Sequence, residues 1–214
     1  MKPKPASAEA FILANTVLEC PALAPGILLH LATAMTPLWH ASEQFLERHN
    51  IVPPFWAFAW PGSQALASYV AAHPALVAGK RVLDFAAGSG LAAIACAQVG
   101  AVVQAADVDL LAQAAIRLNA VANAVVVDVL LEDMVGQDCR WDVILCGDVC
   151  YEAPMAKHIL PWLRRCAQHA TVLIADPGRT YAPGDGYQEI ARMIVPTSLE
   201  LEDRTERVVT IMQL

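Results

Sequence analysis

The chain has 214 residues, which suits one domain with a large core. Its net charge of −7 argues against a general nucleic-acid binder, which carries a basic face. Charged residues make up only 16% of the chain and the mean hydropathy is high, so a membrane reading has to be weighed.

Three stretches, residues 20–42, 49–79 and 85–106, contain no Asp, Glu, Lys or Arg. Pro21, Pro25 and Pro37 interrupt the first, and Pro53, Pro54, Pro61 and Pro74 the second. The third holds Gly88, Ser89, Gly90 and Gly100. None offers the continuous apolar helix that a bilayer span requires. The opening Met1-Lys2-Pro3-Lys4-Pro5 has no apolar run like that of a secretory signal. The cysteines form no CxxC pair and the histidines no HExxH spacing, so neither a zinc site nor a disulfide is expected. These features suggest a cytoplasmic protein with reduced thiols.

In chain order, residues 1–52 read as an N-terminal helical extension broken by prolines. Ile27, Leu28, Leu31 and Ala34 suit one helix face, and Leu38, Phe45 and Leu46 another. A compact aromatic segment follows, Pro53-Pro54-Phe55-Trp56-Ala57-Phe58-Ala59-Trp60-Pro61. Residues 62–73 then read as a helix redirected by Pro74.

From Lys80 the pattern alternates between strand and helix. Strands are predicted at 81–85, 101–106, 124–130, 141–146 and 171–175, and helices at 91–99, 110–120 and 153–168. A Pro/Gly-rich loop spans 177–186. Residues 199–201 and 208–212 read as short strands around the charged run Glu202-Asp203-Arg204-Thr205-Glu206-Arg207, which suits a solvated hairpin turn. Repeated βα units imply an α/β fold with a doubly wound parallel sheet over residues 53–214, closed by an antiparallel hairpin.

Val82-Leu83-Asp84-Phe85-Ala86-Ala87-Gly88-Ser89-Gly90 joins a strand to a helix. Gly88 and Gly90 allow close backbone approach to a ligand, and the helix start offers free N–H groups. Glycines alone would suit a dinucleotide pyrophosphate as well. Asp84 disfavours that ligand, because a carboxylate beside the turn repels phosphate but attracts an amino-acid ammonium. S-adenosylmethionine carries that ammonium and no phosphate. Asp107, nineteen residues after Gly88, ends the second strand of the unit, where a carboxylate accepts ribose hydroxyls; Asp109 is the alternative.

Gly147-Asp148-Val149-Cys150-Tyr151-Glu152 follows the fourth strand of the unit. In strand order 3-2-1-4-5 this loop faces the Gly88 loop across the crevice where the winding reverses. Methyl transfer is an in-line displacement, so the protein mainly aligns the nucleophile and excludes water. Asp148, Tyr151 and Glu152 supply polar anchors for an amine, and Trp56 and Trp60 supply walls. In the alternative, Asp148 caps the following helix and Tyr151 simply packs.

Residues 85–90, Asp107 and Asp148-Val149-Cys150-Tyr151 resemble the seven-strand protein methyltransferases with an Asp-x-x-Tyr motif. The segments 54–62 and 147–152 resemble, more narrowly, the lysine methyltransferases of electron transfer flavoprotein β subunit. Phe11-Ile12, Asn15-Thr16 and Pro37-Leu38-Trp39 also fit. Members tend to show Pro-Glu-Ile and Gly-Gly-Gln where this chain has Pro25-Gly26-Ile27 and Gly62-Ser63-Gln64.

The resemblance implies a monomeric enzyme that uses S-adenosyl-L-methionine to trimethylate lysines on a protein. Asp148, Tyr151 and Glu152 would then serve catalysis. Trp60, Asp84, Ala86, Gly88, Gly90, Asp107, Asp133, Met134 and Asp148 would bind cofactor, with Trp60 beside its methionine part and Asp133 or Met134 near the adenine. No metal, nucleic acid or membrane partner is expected. A methyltransferase of small amines, a nicotinamide oxidoreductase and a silent cofactor-binding module remain as alternatives.

Overall fold

The computed structural model describes residues 5–33, 54–197 and 202–214. Helix α1 (Pro5–Asn15) leads into two short strands, β1 (Val17–Glu19) and β2 (Leu29–Leu31), paired antiparallel. A 3-10 turn at Phe55–Ala57 precedes α2 (Pro61–Ala72), whose first turn starts on proline, a residue already fixed at helical φ. The alternating units follow: β3 (Arg81–Phe85), α3 (Leu91–Gln98), β4 (Val102–Ala106), α4 (Leu110–Ala122), β5 (Asp128–Leu130), β6 (Val143–Gly147), α5 (Ala153–Cys166) and β7 (Thr171–Asp176). The last two strands are β8 (Gln188–Pro196) and β9 (Glu206–Gln213).

The main sheet has the order β5-β4-β3-β6-β7-β9-β8. Its first five strands run parallel, and β9 pairs antiparallel with both β7 and β8. The winding therefore reverses between β3 and β6. Side chains alternate between the faces of these strands, as a pleat requires. Val82, Val143, Leu145, Leu173 and Ala175 join one core with Leu66, Val70 and Ile94 of α2 and α3. Leu83, Phe85, Ile144, Cys146, Val172 and Ile174 join the other with Ile159, Trp162 and Leu163 of α5. Burial on both faces explains why these strands read as continuous apolar runs rather than as alternating ones. Among the described residues, no helix is long and apolar enough to cross a membrane.

Within the N-terminal part, the structure corrects the helix face predicted around residues 27–31. Residues 5–33 contain one helix, and the predicted face of Ile27, Leu28 and Leu31 belongs to an extended segment. Ile27, Leu29 and Leu31 are buried while Leu28 is exposed, which is a period of two. Asn119 of α4 and Asn123, its C-cap, hold this segment by accepting the His30 and Leu28 N–H groups at 2.8 and 2.9 Å. Pro21 and Pro25 prevent a helix from entering it. Ala8 and Ile12 of α1 pack with Trp56, Ala112 and Ala115, so the N-terminal elements cover the sheet domain directly.

Ala34, Pro37, Leu38, Trp39, Phe45 and Leu46, and the predicted strand 199–201, lie outside the described residues. Besides β7, β9 pairs with β8, which precedes residues 199–201 in the chain.

Candidate cofactor and acceptor site

A cavity of about 620 Å³ opens at the C-terminal ends of β3, β4 and β6, within the range of ligand sites. Its floor is the turn after β3. Ala86, Gly88 and Gly90 there have φ of 54°, 53° and 77°. For Ala86, a left-handed conformation costs about 1–2 kcal/mol, and strain of this kind persists where surrounding contacts enforce it. Those contacts include Ala87 N–H donating to the Ala106 carbonyl at 3.0 Å and Asn119 Nδ2 donating to the Ser89 carbonyl at 2.8 Å.

Asp107 stands at the end of β4 with one carboxylate oxygen accepting the Gly88 N–H and the other the Asp109 N–H, both at 2.9 Å. Burial raises its pKa despite these bonds. Asp109 instead caps α4, accepting the Leu111 N–H at 2.9 Å, so its side chain has a structural task. Glu132, Asp133, Met134, Val135 and His158 form the far side, where Asp133 Oδ2 lies 3.2 Å from His158 Nε2.

Asp148 faces this floor from the end of β6, also with a positive φ, of 56°. Its Oδ2 accepts the Gly62 N–H at 2.6 Å in the first turn of α2, and its Oδ1 lies 3.2 Å from Arg179 Nη2. It therefore does not cap the helix that follows it, whose N-cap Glu152 also makes no side-chain cap. The fit of α2 against β6 depends on small residues. A Cβ at Gly62 would lie 2.5 Å from the Ala175 carbonyl oxygen, and one at Gly147 would lie 2.7 Å from Ser63 Oγ. Burial pushes the Asp148 carboxyl up to about 7, against the opposing effects of Arg179 and the Gly62 N–H.

Aromatic rings close the acceptor side. The Phe55 ring lies 5.3 Å from Tyr151 and 5.9 Å from Trp60, and Phe58 lies 5.8 Å from Trp60. Trp60 Nε1 donates to the Phe55 carbonyl at 2.7 Å, which fixes the indole at the rim. Trp56 is buried and lines the wall from behind.

Of the residues named from sequence, Trp60, Ala86, Gly88, Asp107, Asp133, Met134, Asp148 and Tyr151 line this one cavity. Asp84, Gly90 and Glu152 do not. Asp84 sits on the α3 face of the sheet, beneath the turn, where its Oδ2 accepts the Ala93 N–H at 2.9 Å. Burial raises it to about 8. Gly90 is the N-cap of α3 in left-handed conformation, and a Cβ there would press on Ile116 at 3.1 Å. Glu152 is exposed outside the cavity.

Sequence reasoning missed Arg179 and Glu202. Glu202 belongs to the run expected to be a solvated turn, yet it is buried. Its carboxylate receives Arg179 Nη2 at 2.7 Å and Arg207 Nε at 2.9 Å. Beside it, Asp176 accepts the Gly178 and Arg179 backbone N–H groups at 2.8 and 2.6 Å. The one signal available was the mixture of signs in 202–207, which fits an ion-pair network as well as a solvated face.

Comparison with known proteins agrees with this geometry. Residues 59–147 match the family model of the Methyltransferase small domain. Human electron transfer flavoprotein β subunit lysine methyltransferase is 35% identical over 92% of this chain and 77% of its own. The Xenopus laevis protein of the same name is 39% identical over 80% of this chain and 70% of its own. A magnesium protoporphyrin IX methyltransferase from Synechocystis PCC 6803, solved with bound S-adenosylmethionine, superposes with a TM-score of 0.54 at 16% identity, over 86% of this chain and all of that one. A ribosomal protein L11 methylase from Lactobacillus delbrueckii gives a TM-score of 0.51 at 18% identity, over 73% of this chain and 80% of that one. The solved structures support the fold. With relatives this similar over most of both lengths, the chain belongs to the electron transfer flavoprotein β subunit lysine methyltransferase family.

Proposed function

We propose that this protein is an S-adenosylmethionine-dependent lysine N-methyltransferase acting on the β subunit of electron transfer flavoprotein. The charge of the cavity carries the choice of cofactor, and the relatives named as flavoprotein β subunit lysine methyltransferases support the acceptor. Asp107, Asp109, Glu132, Asp133, Asp148 and Glu202 line it, against Arg179 and His158. Such a lining repels a pyrophosphate and accepts a cationic, phosphate-free nucleoside together with an alkylammonium. It therefore favours S-adenosylmethionine over a nicotinamide dinucleotide.

The residues present fit that cofactor. Asp107 has spare lone pairs for ribose hydroxyls, Met134, Phe85 and Ala106 offer an apolar slot, and Trp60 borders the end nearest Asp148. Bound there, the cofactor supplies an electrophilic methyl group on a sulfonium.

The protein's own residues address the acceptor. A lysine has to lose its proton before it can attack, which at pH 7 costs about 4.6 kcal/mol from a pKa of ~10.4. Asp148 and Tyr151 orient the arriving ammonium, and Glu152 helps to draw it in from outside. Phe55, Trp60 and Tyr151 exclude water, and this desolvation favours the neutral amine. The same rings hold a partly methylated ammonium by cation–π attraction, which suits successive transfers. A monomer working in the cytoplasm completes the reading; sedimentation and cell fractionation test those two parts.

The test is a labelled-methyl assay on whole-cell lysate with the labelled band identified, beside calorimetry of S-adenosylhomocysteine and NAD. A labelled β subunit and binding of the nucleoside product alone are expected. Binding of NAD alone would overturn the reading.

A further inference from the structure

Arg179 stands at the acceptor end of the cavity and belongs to none of the motifs discussed above. A single nitrogen, Nη2, lies 3.2 Å from Asp148 Oδ1 and 2.7 Å from Glu202 Oε1. The Arg179 side chain is 23% exposed, and the carboxylates it joins are 8% and 2% exposed. At the surface such pairs contribute little, but shielded charges keep most of their mutual effect.

Each end of the bridge is itself held. The Arg179 backbone N–H is fixed by Asp176 Oδ1 at 2.6 Å, just after a glycine turn with φ of 84° at Gly178. Glu202 is gripped by Arg207, through Nε at 2.9 Å and through Nη2 to the Glu202 carbonyl at 2.7 Å. Arg207 lies in β9, so the bridge ties the final strands of the sheet to the loop after β6.

We infer that Arg179 is a positioning residue for the methyl acceptor, holding and charging the Asp148 carboxylate through a bridge to Glu202. The inference rests on the proposed reaction, in which Asp148 meets the incoming ammonium. Asp148 has few other sources of positive potential. From α2 it faces the Gly62 N–H, while the Ser63 hydroxyl lies against the neighbouring Gly147. From the end of β7 it faces Asp176, whose negative charge opposes ionisation. On its own loop stand Tyr151, Glu152 and the Cys150 thiol, which burial pushes up to about 12 and so keeps neutral. Glu202 adds a further negative charge behind Arg179, and Arg207 offsets it. Arg179 is thus the cation in direct contact with Asp148 among the described residues.

The bridge gives opposite signs for its two ends, which a purely structural role would not. Removing Arg179 takes the cation from Asp148 and raises its titration midpoint. Neutralising Glu202 leaves Arg179 less compensated and lowers that midpoint. A lysine at 179 keeps the charge but not the planar guanidinium that sets Nη2 between the two carboxylates, so it falls between.

The experiment uses the full chain with S-adenosylhomocysteine bound. The Asp148 carboxyl carbon is titrated by 13C NMR in the parent, Arg179→Met, Arg179→Lys and Glu202→Gln, alongside kcat/KM for flavoprotein methylation from pH 6 to 9. Arg179→Met should raise the midpoint by at least one unit and lose about tenfold in kcat/KM near pH 7, the loss shrinking as pH rises. Arg179→Lys should shift about half as far, and Glu202→Gln should move the midpoint down. Shifts of one sign in both Arg179→Met and Glu202→Gln, or an activity loss independent of pH, would overturn the inference. A parent enzyme inactive on the flavoprotein would overturn the acceptor reading instead, and the NMR midpoints would still decide the role of Arg179.

Discussion

Gly62→Ala is the sharpest structural perturbation of the site, because it adds one methyl group where the chain has no room. The new Cβ would stand 2.5 Å from the Ala175 carbonyl oxygen, 2.6 Å from Asp148 Oδ2 and 2.8 Å from Asp148 N. Two of those atoms are backbone, one in β7 and one just after β6, so relief has to come from moving α2. Overpacking of this kind costs about 1–3 kcal/mol. Moving the helix also stretches the 2.6 Å bond from Gly62 N–H to Asp148, and a bond to a charged group contributes about 1.5–3 kcal/mol. The gain in helix propensity from alanine is below about 1 kcal/mol and does not reverse the sign. The net cost is about 2–5 kcal/mol, or roughly 5–20 °C in Tm for a chain of this size. Urea and thermal unfolding measure it. Gly184→Ala is the control, since nothing lies within 4 Å of a Cβ there. A Gly62→Ala protein within about 1 kcal/mol of the parent would refute the view that Gly62 is required by close packing.

Three further outcomes follow from the site. Asp84 is raised to about 8 from 3.8, so the folded state keeps a proton that the unfolded state loses. Its contribution is therefore greatest below pH 4 and declines as pH rises to about 8. Asp84→Asn can still accept the Ala93 N–H, so its Tm should gain on the parent between those limits; a difference constant with pH would contradict this. Asp107→Ala should weaken S-adenosylhomocysteine binding by about 2–3 kcal/mol in calorimetry, and an unchanged Kd would remove Asp107 from the cofactor site. Asp148→Asn and Tyr151→Phe should keep most cofactor affinity but lower turnover. Parental rates in both would mean that neither side chain acts on the acceptor.

The sheet was legible because both its faces are covered. Strands such as Val143–Gly147 and Thr171–Asp176 are apolar throughout, and helices with different periodicity separate them. The turn after β3 was legible because left-handed backbone at Gly88 and Gly90 calls for glycine. The N-terminal segment misled because Ile27, Leu28 and Leu31 fit both a helical and an alternating pattern. Which of them is buried depends on Asn119 and Asn123 at the end of α4, far away in sequence. Asp84 was recognised as important to the turn, but the face it takes depends on the pleat, which turns it toward α3. Arg179 and Glu202 were invisible for a related reason: the bridge from Asp148 through Arg179 to Glu202 joins three distant segments, and nothing local distinguishes a buried Glu202 from a solvated one.

The central claim is methyl transfer to a lysine of electron transfer flavoprotein β subunit. Purified enzyme, labelled S-adenosylmethionine and purified flavoprotein, followed by mass mapping of methylated peptides, test it most directly. Methylation is expected only at lysines on an exposed segment of the β subunit, and it should slow with Asp148→Asn. An unlabelled β subunit, under conditions where the same enzyme labels another protein of the lysate, would contradict it.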